Sequence, residues 1–370
     1  MAIGFYNFAE LHSEEFRKQI KERISSIVDK NAFIEGEYNV AFEKEFAKMQ
    51  GAKHAHLVAN GTDAIEIALI AYGIGKDDLV GIPGISFFAT AEAVVNIGAK
   101  PVFIDIDPAT GLMDPASLKR VLQKHKLKAI VPVHIYGQPA PIKELETICI
   151  PLNIKIVEDG AQAQGTFLPN GPVGSSKNLA TFSFYPTKNL GAFGDAGAVL
   201  TDNDALSEKI VSIRNHGRSP QGHKLFGRNS RCDSIQAAVL HLKLENVERY
   251  NKTRKEVAKK YHEQLKNVPI RIAPANFIES SSWHLYPIGL SSREQKYALK
   301  DFLQKNEIGP SLFYEKSMAE ELPLQGAPGE FTKAIEFAAN TLCIPIHPFL
   351  KDDEIKTVAN KIKEFLKNNS

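Results

Sequence analysis

From about residue 50 to residue 240, short apolar runs alternate with helix-length segments, and no other feature constrains the fold as much. Strands are expected at His56-Leu57-Val58, Leu79-Val80-Gly81-Ile82, Pro101-Val102-Phe103-Ile104, Ala129-Ile130-Val131-Pro132-Val133, Ile154-Lys155-Ile156-Val157, Ala180-Thr181-Phe182-Ser183-Phe184 and Gly197-Ala198-Val199-Leu200-Thr201. Helix-length segments such as Ala64 to Tyr72 and Pro141 to Cys149 lie between them. Such alternation predicts an α/β fold whose mainly parallel sheet is covered by helices on both faces. Two helices precede it. One runs from about Ser13 to Val28, with Phe16, Ile20, Ile24 and Ile27 at helical spacing, and the other from about Val40 to Met49. A long charged helix over about Asp233 to Tyr261 leads into short strands and helices and a lysine-rich final helix, Asp352 to Lys367. The expected division is a large domain, 1–244, and a smaller C-terminal domain, 245–370.

Charge narrows the function. With 45 basic and 43 acidic side chains the net charge is +2, too little to hold a nucleic-acid backbone or an anionic membrane at long range. Any phosphate must be bound locally. Cys149, Cys232 and Cys343 form neither a CxxC pair nor an even framework, and read as buried small hydrophobes in a reducing compartment. The start of the chain lacks a signal-peptide pattern, and no run of about twenty apolar residues is present to span a membrane, so a cytoplasmic protein is expected.

Lys188 follows an apolar strand and precedes a loop with three glycines, Gly191, Gly194 and Gly197. An amine beside apolar walls loses hydration and part of its charge, and a neutral amine can form a Schiff base with an aldehyde. Asn60-Gly61-Thr62-Asp63-Ala64 opens a helix after a strand. It reads either as a phosphate cradle of free N–H groups and the Thr62 hydroxyl, or as a plain turn capped by Asn60 or Thr62. Asp159 ends a buried strand at the sheet edge that open α/β folds use for ligands. A carboxylate there suits a protonated heterocyclic nitrogen, and equally caps the following segment. Lys188 follows Asp159 by 29 residues, near enough for both to reach one crevice.

Asn60-Gly61-Thr62, Val157-Glu158-Asp159-Gly160-Ala161-Gln162, Ser183-Phe184-Tyr185-Pro186-Thr187-Lys188-Asn189-Leu190-Gly191 and Gly227-Arg228-Asn229-Ser230-Arg231-Cys232-Asp233-Ser234-Ile235-Gln236-Ala237-Ala238 occur in the order and spacing of one family. The chain resembles the DegT/DnrJ/EryC1/StrS sugar aminotransferases, and does so over nearly its whole length. The resemblance implies fold type I, with a mainly parallel, mixed seven-stranded sheet and a smaller α+β domain, and pyridoxal 5′-phosphate as cofactor. It implies that Lys188 anchors the cofactor and moves a proton, and that Asp159 pairs with the pyridine nitrogen. Gln162 would bond the ring hydroxyl, while Gly61, Thr62 and Ser183 would bind the phosphate. Phe87 would stack on the ring, with Phe88 as the other register.

Asn229 matches a residue that reaches the partner subunit's cofactor phosphate, which implies a homodimer with shared active sites. Arg231 lies where relatives contact substrate, or else pairs with Asp233 or a neighbouring carboxylate. The family's His-Tyr-Pro run is changed here to Phe313-Tyr314-Glu315, with Tyr314 as a candidate substrate contact. His134 and His216 read as hydrogen-bonded structural residues. The implied reaction moves an amino group from L-glutamate to a nucleotide-linked keto sugar. Gly194-Asp195-Ala196-Gly197 resembles 3-keto more than 4-keto enzymes, and a non-sugar aminotransferase or a non-catalytic regulator are the other readings.

Overall fold

The computed structural model describes residues 2–368. Seven strands form the central sheet: β1 His54–Val58, β2 Leu79–Pro83, β3 Lys100–Ile104, β4 Ala129–Ile130, β5 Lys155–Asp159, β6 Leu179–Ser183 and β7 Gly197–Thr201. Their order is β1-β7-β6-β5-β4-β2-β3. Pairing is parallel from β6 through β5, β4 and β2 to β3, and only β7 runs antiparallel to both of its neighbours. The mainly parallel sheet expected from the alternation is therefore present, with all seven predicted strands in it. The fourth is shorter than the apolar run Ala129 to Val133, because pairing beyond Ile130 shrinks to a single bridge between Val133 and Asp159.

Buried parallel strands read as continuous apolar runs because helices cover both faces. Val58, Val80, Ile82 and Val157 share one core with helix Gly61–Ala71, whereas Val102, Ile104, Ile130 and Ile156 share the opposite one with helices Pro115–Leu122 and Ile142–Cys149. Burying each such side chain is worth about 1.5–3 kcal/mol, so the two-sided core dominates the stability of the sheet.

Helix Ser234–Leu265 runs unbroken through residue 245. Its Ala237, Leu240 and Val247 pack against the sheet side with Phe182 and Phe184, while Val257, Ala258, Tyr261 and Leu265 pack with the C-terminal elements. These include the antiparallel pair Tyr286–Gly289 and Thr341–Ile344 and the final helix Asp352–Asn368. All three cysteines are free and buried.

Candidate active site

The carboxyl edge of the sheet collects the site. Asp159 ends β5 and Ser183 ends β6, and β7, being antiparallel, starts at the same edge with Gly197 opposite both Ser183 and Val58. Gly197 is needed there because a Cβ would meet the Asn60 carbonyl oxygen at 2.4 Å. That close approach seats Asn60 and the first turn of helix Gly61–Ala71 against the end of β6.

Asn60 caps this helix, its side chain accepting the Asp63 N–H at 2.8 Å. The cap leaves the Gly61 and Thr62 N–H groups without a protein acceptor among the described residues, at the positive end of the helix. Cap and cradle, the two readings of this segment, are thus compatible. Gly61 also has to be glycine for spatial reasons, since a Cβ there would lie 2.7 Å from Ser183 Cβ. The bare Gly61 and the Ser183 side chain consequently face one another with no bulk between them, a shape suited to a phosphate.

Asp159 is 4 % exposed. Its Oδ2 accepts the Thr90 hydroxyl at 2.8 Å and its Oδ1 accepts the Ala161 N–H at 3.1 Å, so the strand end does cap the following turn. Burial raises its pKa, opposed by these two hydrogen bonds and by the charge of Lys188. Lys188, half-buried in the turn that closes with its N–H on the Tyr185 carbonyl, is pushed down to about 8 by burial, with Asp159 working the other way. An amine with that pKa is neutral in part at physiological pH, as a nucleophile or base requires.

Gln162 is fixed from both ends: its Oε1 accepts the Tyr136 N–H and its Nε2 donates to the Tyr314 hydroxyl, each at 2.5 Å. One amide hydrogen remains for a ligand. Phe87 is 66 % exposed, while Phe88 packs against the core. Of the two neighbours, Phe87 is the exposed ring. Tyr314 adopts a positive φ of 60°, and burial raises its hydroxyl pKa. Phe313 packs on Phe5, and Glu315 takes the Tyr297 hydroxyl, which turns the acid outward.

Asn229 stands exposed and bridges Asn215 through its backbone, next to Arg228, which pairs with Asp63 and Glu66 on the cradle helix. Arg231 donates to the Asn215 amide oxygen at 3.3 Å, and no carboxylate pairs with it among the described residues, so the alternative of pairing with Asp233 or a neighbouring acid is not found. His134 is buried. Its Nδ1 accepts the Ala140 N–H, which puts the ring proton on Nε2, facing Glu158 at 3.1 Å. His216 is exposed.

Sequence reasoning missed Thr90, His284 and Arg254. Thr90, in the first turn of helix Ala89–Asn96, meets the Ser86 hydroxyl at 2.7 Å, and two hydroxyls four residues apart were the available signal. His284, hydrogen-bonded to Asn189 at 3.3 Å, and Arg254 come from distant parts of the chain and carry no local pattern.

Lys188, lowered in pKa by burial, and the buried Asp159 whose charge acts on it belong to the carboxyl edge of a mixed, mainly parallel sheet, and the fold is that of the fold type I aminotransferases. The chain belongs to the DegT/DnrJ/EryC1/StrS aminotransferase family, which matches it over residues 14–363. A pleiotropic regulatory protein of Geobacillus stearothermophilus is 35 % identical, over 96 % of each chain. The UDP-N-acetyl-3-dehydro-α-D-glucosamine 3-aminotransferase of Acidithiobacillus ferrooxidans is 34 % identical, also over 96 % of each. The structure superposes with a TM-score of 0.92 on S. venezuelae DesV solved in complex with a ketimine intermediate, at 32 % identity over 98 % of each chain. Among the described residues no helix is long and apolar enough to cross a membrane.

Proposed function

We propose that the chain uses pyridoxal 5′-phosphate to move an amino group from L-glutamate to the ketone of a nucleotide-linked 3-keto hexose, giving a nucleotide-linked amino sugar. The observation that carries this reading is the charge coupling of Lys188, its amine lowered to about 8, to the buried Asp159 that ends β5 at the carboxyl edge of the sheet. The fit of the cofactor rests on the residues present. Gly61, Thr62 and Ser183 would hold the phosphate, Gln162 the ring hydroxyl and Phe87 the ring face. When bound, the group supplies an aldehyde for the amine and a sink for electrons. Lys188 Nζ would hold it and afterwards accept and return the proton at the reacting carbon. Asp159 would keep the ring nitrogen protonated, which its two hydrogen bonds favour by preserving its negative charge.

Arg231 and Tyr314 would meet the sugar nucleotide. A cytoplasmic homodimer, with Asn229 serving the partner's site, accords with the exposure of Asn229 and with the complete exposure of Phe226 on the same segment. A division into domains 1–244 and 245–370 would fall within helix Ser234–Leu265, and the separate clusters that its two ends join support it. The relative that acts on a 3-keto sugar favours that acceptor over a 4-keto one.

The test is an absorbance spectrum of the purified protein with pyridoxal phosphate, then with L-glutamate, then with a panel of nucleotide 3-keto and 4-keto sugars. The aldehyde-form band should fall with glutamate and return with a 3-keto sugar. No band with added cofactor overturns the reading, and return with a keto acid but no sugar points to a non-sugar aminotransferase.

A further inference from the structure

Beside Lys188 lies a narrow cleft lined by Tyr6, Asn7, Arg254 and His347. Its free space is about 30 Å³, room for a small polar group such as a carboxylate head. Arg254 comes from the middle of helix Ser234–Leu265 and is 8 % exposed. Its Nη1 donates to the carbonyls of Trp283 at 3.2 Å and Ile346 at 2.8 Å. A guanidinium carries five N–H donors, and among the described residues no carboxylate pairs with this one, the Tyr6 phenol being the acidic group that acts on it. A buried charge without a counter-ion is costly unless an anion arrives to pair with it.

The surroundings favour such an anion. No Asp or Glu lines the cleft. The two neighbouring imidazoles are held neutral, His284 lowered well below the ordinary value by burial and by the charges of Lys188 and Arg254, and His347 lowered to about 4 mainly by burial. Arg254 and Lys188 both line this one cleft.

We infer that Arg254 is the anchor for a carboxylate of the amino donor, seated in the cleft between Asn7 and His347 with the donor's nitrogen directed to Lys188. This rests on the proposed function for the identity of the donor. A single small pocket for a carboxylate head lets one site alternate between glutamate and a much larger sugar nucleotide, which need only leave the cleft vacant. The two carbonyl contacts of Arg254 also join the long helix to the C-terminal elements, and the test has to separate that positioning role from the anchor.

The holoenzyme is compared as wild type, Arg254→Gln and Asn7→Asp. Asp caps a helix as well as Asn does, so the second variant keeps the turn that Asn7 closes on Glu10 while offering an internal carboxylate to Arg254, and it remains informative where loss of Arg254 unfolds the chain. Glutarate, a dicarboxylate with no amine, is titrated calorimetrically, and the half-reactions with glutamate and with UDP-N-acetyl-3-dehydro-α-D-glucosamine are followed separately. Both variants should weaken glutarate and raise the KM for glutamate roughly tenfold or more, the scale of a lost charge-assisted hydrogen bond, with the sugar half-reaction unmoved. Unchanged glutarate affinity, equal losses in both half-reactions, or a loss confined to the sugar would each overturn the assignment. A wild type that binds glutarate yet converts neither substrate counts against the proposed function and leaves the anchor standing.

Discussion

Thr90 Oγ1 donates to Asp159 Oδ2 at 2.8 Å, linking two residues 69 positions apart at the floor of the crevice. The hydroxyl in turn meets Ser86 Oγ at 2.7 Å, so a short relay from the start of helix Ala89–Asn96 orients the carboxylate and favours its charged form.

Thr90→Val keeps the shape and deletes the hydroxyl. The Asp159 pKa should rise further, since burial then acts with one opposing hydrogen bond fewer. Activity should fall about tenfold or more, the scale of a lost hydrogen bond to a charged group. Parallel pH profiles of kcat/KM for wild type and variant check this, and an unmoved acidic limb would contradict the relay.

Lys188 has a folded-state pKa of about 8, below its unfolded value. Between about 8 and the ordinary lysine value of about 10.4, the unfolded chain binds a proton that the folded chain does not, so stability contributed by this group rises with pH across that window and is lost as pH falls through 8. Lys243, likewise lowered to about 8 by burial, adds a slope of the same sign. The readout is therefore the difference between wild-type and Lys188→Met apoprotein, whose Tm should climb less steeply over this range.

Phe87 and Phe88 should separate function from stability. Phe87→Ala removes an exposed ring and should leave the Tm within a degree or two, by the general tolerance of surface positions, while weakening retention of pyridoxal phosphate. Phe88→Ala removes a ring packed on the core and should cost on the order of 2–4 kcal/mol in denaturant unfolding. A reversal of the two effects would place the cofactor against the other ring.

Gly61→Ala drives a methyl group to 2.7 Å from Ser183 Cβ. The first turn of the cradle helix must shift, and phosphate binding should weaken more than tenfold because the donors move with it. Calorimetric titration of the apoprotein with pyridoxal phosphate measures this, with Gly73→Ala, which meets nothing within 4 Å but carries a positive φ, as a comparison for strain alone.

The sequence by itself determined the parts. Apolar runs of strand length mark burial on both faces, so all seven strands were legible, with the covering helices near Ala64 to Tyr72 and Pro141 to Cys149, and Lys188, Asp159 and Asn60 stood out because strand ends and caps leave local chemical signatures. Phe87, favoured over Phe88 in the sequence, is the exposed ring of the two, while Phe88 packs on the core. Only the tertiary structure decided where β7 would insert. Its antiparallel place between β1 and β6 brings Gly197, Asn60, Gly61 and Ser183 to one edge, a strand order that no short window of residues encodes. The same holds for Thr90 on Asp159 and for Arg254 beside Lys188. These contacts join distant segments through side-chain packing, which is selected by the whole core and leaves no period in the chain for a reader to find.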